Sequence, residues 1–219
     1  MNFAANPFVF SWEKRAGNNL CVAGIDDSIR QGILRSLLEC VKRNQMFDNI
    51  VYFNTDPYKT VDVPDIDGLV QCDSTWDGNI TEWTSEYLKS KRSLLIIDMI
   101  DDANARMFHP KPVFGVKKET VITPAESLKT LLDEGPRHGS FVVAFIDNWN
   151  NFNMTCKDYL SLFELRIGFR LSEEDAGSLI FGSMGGKRFK GLDDGRKAIF
   201  VNRQRNIQTI FRPFVLPHE

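Results

Sequence analysis

Asn19-Leu20-Cys21-Val22-Ala23-Gly24-Ile25-Asp26-Asp27-Ser28-Ile29-Arg30-Gln31-Gly32-Ile33-Leu34-Arg35-Ser36-Leu37-Leu38 is the stretch whose reading decides the fold. Its polarity gives a short apolar strand, a tight turn opening at Gly24, and a helix over 28–44. In that helix Ile29, Ile33, Leu34, Leu37, Leu38 and Val41 recur at helical spacing. Asp27 or Ser28 is the predicted N-cap, because a short oxygen-bearing side chain there satisfies an orphan N–H of the first turn.

Strand, glycine turn and helix in this order form the setting of a phosphate loop, G-x-x-x-x-G-K-[ST]. In such a loop the glycines let backbone N–H groups approach the phosphates, Lys meets the β and γ oxygens, and the hydroxyl reaches Mg²⁺. Counting from Gly24, the second glycine falls on Ile29, the lysine on Arg30 and the hydroxyl residue on Gln31. Asp26 and Asp27 also place two carboxylates where an anion would sit, and like charges 4 Å apart repel by roughly 1 to 4 kcal/mol depending on the local dielectric. Two readings of the residues stay open: a capped turn without a ligand, or a loop in which Arg30 stands in for lysine.

The 219 residues, 42% hydrophobic, suffice for one α/β domain with a good core. A net charge of −2 supplies no global field toward nucleic acid or an anionic membrane, which argues against strong autonomous DNA binding. Cys21, Cys40, Cys72 and Cys156 are scattered without paired spacing, and the three histidines lie in three different segments. They read as free thiols of a cytoplasmic protein rather than a disulfide or zinc framework. Neither a run of ~18 apolar residues nor a signal-peptide pattern occurs, so no direct membrane contact is predicted. The abrupt strand-like start at Phe8-Val9-Phe10-Ser11-Trp12 reads as a piece of a longer chain. Residues 7–16 are predicted as a lead-in strand, with Phe10 and Trp12 either packed in the core or stacked on a base.

Downstream, the strand 50–54 follows the first helix, and strand-helix-strand at this pitch indicates a parallel sheet. A short strand at 68–71 and a helix at 81–91 come next. Ser93-Leu94-Leu95-Ile96-Ile97-Asp98 is an apolar strand closing on a carboxylate, the form of a Walker B element whose Asp holds Mg²⁺. In an active ATPase of the additional-strand type a Glu follows that Asp; here Met99 follows, and a thioether accepts no proton. Asp101 or Asp102 could supply a base from the next turn, or cap a short helix at 103–107. Residues 108–122 read as a loop or small hairpin.

Thr123-Pro124-Ala125-Glu126 opens a helix with an N-cap, a first-turn proline and a carboxylate, and Gly135-Pro136 is the predicted stop. The strand 140–146 ends in Asp147-Asn148, polar groups that face the same crevice as Asp98 at the carboxyl ends of the sheet. Gly24 and Asp98 are expected on adjacent strand ends. A helix at 156–163, a strand at 164–170 and a helix at 172–181 follow. The glycine-rich loop 182–196 carries Lys187, Arg188 and Lys190, either solvated or in contact with a neighbouring subunit or DNA phosphate. Strands 197–202 and 207–211 close the chain.

Laid end to end, these segments resemble the motor domain of the FtsK/SpoIIIE branch of P-loop ATPases over nearly the whole chain. Asn19 to Gly24 is similar to the strand entering the phosphate loop, and Leu94 to Asp98 to Walker B. Leu131 to Val143 is similar to the family's helix, glycine turn and sensor strand, and Phe163 to Asp175 to its strand-to-helix block. The resemblance implies a single RecA-like P-loop NTPase domain over 1–219, C-terminal in a longer parent, and is compatible with a membrane-associated parent. It implies a mainly parallel central sheet flanked by helices, with antiparallel C-terminal strands.

Members pump double-stranded DNA as rings, or move proteins in the type VII secretion branch. An arginine from one subunit reaches the next subunit's nucleotide, and Arg166 or Arg170 holds that position here, unless the arginine is a buried strand residue paired with Glu164 or Glu174. By the same resemblance Gly24, Asp27, Ser28, Arg30, Gln31, Asp98, Asp147 and Asn148 would line the nucleotide, and Asp98 would hold Mg²⁺ if nucleotide binds. The missing lysine, hydroxyl and glutamate imply a degenerate domain with no cofactor or weakly bound Mg-ATP. Its role would be ring assembly, partner docking or regulation, with partners among other ATPase domains and with DNA reached through the ring. The alternative is an active or weakly active ATP-binding translocase motor.

Overall fold

A computed structural model describes residues 8–54, 66, 69–72, 84, 92–101, 124–147, 149–181 and 197–214. The expectations for the helix at 81–91 beyond Thr84, for Asp102 and the helix at 103–107, for the loop 108–122, for Asn148 and for the basic loop 182–196 lie outside the described residues.

The strands are β1 (Leu20–Ala23), β2 (Asn49–Asn54), β3 (Leu69–Cys72), β4 (Ser93–Asp98), β5 (Ser140–Ile146), β6 (Leu165–Gly168), β7 (Ala198–Asn202) and β8 (Ile207–Phe211). They form one eight-stranded sheet in the order β3-β2-β4-β5-β1-β6-β7-β8. The strands from β3 to β6 pair in parallel, and β6-β7 and β7-β8 are antiparallel. Parallel strands buried on both faces read as near-continuous apolar runs, which is the pattern of β1 and of the middles of β4 and β5. Leu20 and Val22 of β1 pack with helix α1 (Asp27–Asn44) on one face. Cys21 and Ala23 pack on the other with α2 (Pro124–His138), α3 (Trp149–Thr155) and the 3-10 turn Lys157–Leu162. The result is three layers, with the sheet in the middle.

The expected adjacency of Gly24 and Asp98 is corrected by this order. β5 lies between β1 and β4, pairing Leu20 with Val143 on one side and Leu94 with Phe141 on the other. Two inter-strand steps put the two ends about 10 Å apart.

The elements differ from the sequence expectations in four further places. Residues 8–13 form no strand. Their aromatic rings lie on the α1 side of the sheet, Phe8 stacked on Phe211 at 4.3 Å and Phe10 on Phe200 at 5.6 Å. Trp12 sits 5.4 Å from Phe47 and 5.6 Å from Phe141, so both Phe10 and Trp12 are packing residues. The helix predicted to stop at Gly135-Pro136 continues to His138. Pro136 has no N–H to give the carbonyl of Leu132, and the side-chain amide of Asn19 donates to that carbonyl instead, at 2.7 Å. The predicted helix at 156–163 is the 3-10 turn Lys157–Leu162, preceded by the unpredicted helix α3. The one at 172–181 is a short helix α4 (Glu173–Ala176), capped by Ser172, running into a π-helical turn Gly177–Phe181.

Candidate nucleotide site

The turn after β1 is closed by its own side chains. Asp26, not Asp27 or Ser28, is the N-cap of α1: its backbone is extended, with φ −96° and ψ 108°, and its carboxylate accepts from the N–H of Ile29 at 3.1 Å. The helix begins one residue earlier than predicted because Asp26 has two further donors to hold it, the hydroxyl of Ser28 at 2.7 Å and the guanidinium of Arg170. Burial pushes the Asp26 carboxyl up, but the hydrogen bonds from Ser28, Arg170 and the Ile29 N–H outweigh it and hold the group down at about 2. An anion therefore already sits at the positive end of this helix, where a phosphate loop receives its ligand.

Arg30 lies one turn into α1 and is buried, at 4% exposure. Its guanidinium pairs with the carboxylate of Asp98, itself 2% exposed, and lies 3.1 Å from Asp27. The long arginine side chain thus spans the gap that β5 opens between the ends of β1 and β4. The second oxygen of Asp98 accepts from the hydroxyl of Tyr52 at 2.7 Å. Burial lowers the affinity of Arg30 for its proton, and Asp98 and Asp27 more than reverse that, so its pKa is raised. Tyr52 is raised too, first by burial and then by the Asp98 charge. Tyr52 was not foreseen as part of the site. The signal was present, since its hydroxyl is the only polar side-chain atom in Ile50-Val51-Tyr52-Phe53 and a buried phenol needs a partner.

Gly24 is required here by a close approach rather than by an unusual backbone angle. A Cβ at this position would run into the carbonyl oxygen and ring of Phe169, which follows β6. The Phe169 N–H donates to the carbonyl of Ala23 at 3.1 Å, and the Gly24 N–H to that of Ile146 at 3.0 Å. Gln31 and Ser28 are half-buried, Asp147 is half-buried at the end of β5, and Asp101 is buried after β4.

The two candidate inter-subunit arginines have separate positions. Arg166 is 1% exposed and donates to three carbonyls, those of Phe163 at 2.8 Å, Leu179 at 2.7 Å and Leu160 at 2.6 Å. It is the buried strand arginine foreseen as the alternative, but its partners are backbone oxygens; Glu164 pairs with Arg15. Burial pulls Arg166 down to about 10, which leaves it charged at neutral pH. Arg170, half exposed with φ 43°, reaches Asp26 of its own chain.

The fit of Mg-ATP can be judged from these contacts. Both oxygens of Asp98 have donors from the chain, a carboxylate caps the helix, and no hydroxyl stands at Gln31 to bind a metal. As arranged, these residues do not fit the group. Among the described residues no cluster of three His, Cys, Asp or Glu could hold a metal ion, and no helix is long and apolar enough to cross a membrane. An apolar cavity of about 280 Å³ lies elsewhere, between residues 8–12, α1 and the C-terminal segment, lined by Phe8, Leu37, Val41 and Phe211.

The sheet order, the glycine turn into α1 and the carboxylate closing β4 define the fold of the FtsK/SpoIIIE-type P-loop ATPases. In particular, the chain is similar to the genome packaging NTPase B204 from Sulfolobus turreted icosahedral virus 2 in complex with ATP-gammaS, with a TM-score of 0.65 and 10% identity, covering 93% of this chain and 100% of that one. It is similar to EssC (ATPases 2 and 3) from Geobacillus thermodenitrificans, with a TM-score of 0.62 and 11% identity, covering 90% of this chain and 39% of that one. It is also similar to EccC (ATPases 2 and 3) from Thermomonospora curvata in complex with a signal sequence peptide, with a TM-score of 0.60 and 8% identity, covering 91% and 37%. No protein-family model and no curated protein matches the sequence. At these identities the likeness establishes the fold.

Proposed function

We propose that this chain is a non-hydrolysing ATPase-like domain, acting in ring assembly, partner docking or regulation of active ATPase domains in the same or a related chain. The observation that carries the reading is the Arg30 guanidinium held between Asp98 and Asp27, in the space a phosphate and its metal would need. Three losses in sequence support it: Arg30 for lysine, Gln31 for a hydroxyl residue, and Met99 for the base. Electrostatic donors of the kind lost here are each worth about 10² to 10³ in rate. EssC and EccC, in which this chain spans less than half the length, are multi-ATPase chains, and that supports partner ATPase domains and a longer parent. Cytoplasmic location and DNA reached through an assembled ring belong to the same reading. The test is phosphate release from Mg-ATP: the account expects background rates for the wild type and for Asp98→Ala alike, and turnover that Asp98→Ala abolishes would overturn it.

The second reading is an ATP-binding translocase motor, of DNA or of protein. Its support is the retained carboxylate at the end of β4 and the nucleotide bound to the similar viral packaging NTPase. It requires Arg30 to leave Asp98 and turn to the phosphates, with Asp101 or Asp102 as base.

A further inference from the structure

β8 is the last strand of the sheet, and among the described residues none pairs with its outer edge. An edge strand offers a row of backbone N–H and C=O groups to any extended chain. Proteins ordinarily blunt such edges with an inner charge, a proline or a bulge. Ile207-Gln208-Thr209-Ile210-Phe211 has none of these. It carries no charge, its first proline is Pro213, and its pairing with β7 runs from Asn202↔Ile207 to Ala198↔Phe211 without interruption. Its residues are also good strand formers. Ile207 is 43% and Ile210 59% exposed. They are separated by an odd number of positions, so they offer apolar contact on opposite faces of the sheet.

Charge selects the occupant. Exposed Arg203 and Arg205 stand at the start of the strand and exposed Arg212 at its end. Arg205 is paired with Glu13 of the same chain, on the side of the N-terminal lead-in. A second copy paired antiparallel over 207–211 would set Arg212 of each chain opposite Asn206 and beside Arg205 of the other, and like charges so placed repel. We infer that β8 is a docking edge for an extended segment of another protein, one with aliphatic residues toward both faces and carboxylates at both ends, added as a ninth strand.

The test uses the full chain and a fluorescent peptide of about ten residues, a run of Val and Thr that puts Val on both faces, with two aspartates at each end. A lysine-flanked version serves as the control. Anisotropy is expected to report saturable, salt-sensitive binding of the acidic peptide, with amide protection confined to 207–211. Ile210→Lys, at an exposed position that should leave folding intact, is expected to weaken binding about tenfold or more, as is Arg212→Glu. No binding at about 1 mM peptide, equal binding of the lysine-flanked peptide, or protection outside 207–211 would overturn the inference. So would a dimer in light scattering that Ile210→Lys dissolves, because the edge would then belong to a second copy. ATP turnover by the chain would leave these outcomes unchanged, which separates failure here from failure of the functional reading.

Discussion

Arg30, Asp98 and Tyr52 form a buried set whose members have value only together. Removing one partner of a buried ion pair strands the other charge, at a cost of about 3–5 kcal/mol, whereas replacing both by apolar groups is often close to neutral. Arg30→Met is therefore expected to destabilise strongly in urea unfolding, and Arg30→Met with Asp98→Leu to recover most of the loss. Additive effects of the two changes would contradict the pairing. Asp26 gives a second test. Its folded pKa of about 2 lies below the ordinary carboxylate value, so its contribution is complete above about pH 4 and disappears as pH falls toward 2. Asp26→Asn keeps a capping oxygen but removes the charge that faces Arg170 and the helix N-terminus, and should lower stability at neutral pH by about 0.3–1 kcal/mol and flatten the acid limb of the stability profile between those values. At this scale the sequence was half legible. The mismatches at Ile29, Arg30 and Gln31 are visible in the letters, but the partners of Arg30 are not, because Tyr52 and Asp98 come from strands 22 and 68 residues away in sequence.

Between β1 and α2 the packing depends on Asn19. Its amide donates to the carbonyls of Leu132 at 2.7 Å and Leu162 at 3.0 Å, and its oxygen accepts from the N–H of Val142 at 2.9 Å. One fully buried side chain thus ties β1 to α2, β5 and the 3-10 turn. Asn19→Leu takes the side-chain partner from two buried backbone groups, at Leu132 and Val142, and from the half-buried Leu162 carbonyl, and is expected to cost about 2–4 kcal/mol in thermal or urea unfolding; a change under about 0.5 kcal/mol would contradict this role. Gly24→Ala meets the Phe169 backbone, which cannot move without parting β6 from β1, and should fail to give a stable fold. Strand and helix existence was legible from the apolar runs, since strands buried on both faces leave an unmistakable pattern. The passage of α2 through Pro136 was not, because the compensating donor at Asn19 comes from a residue more than a hundred positions upstream.

Across the whole molecule, the parallel sheet with its antiparallel tail was foreseen, but the place of β5 between β1 and β4 was misjudged. Chain order does not dictate strand order in a parallel sheet, because crossover helices let a later strand enter the middle. That insertion separates the glycine turn from Asp98 within a fold shared with ATPases, and the non-hydrolysing role proposed here rests on Arg30, which crosses the span to Asp98. The most direct measurement is a calorimetric titration of the chain with Mg-ATP, run beside the variant Ile29→Gly/Arg30→Lys/Gln31→Ser. The account predicts no saturable heat for the wild type up to about 1 mM ligand. A saturable heat for the wild type that Asp98→Ala removes would contradict it.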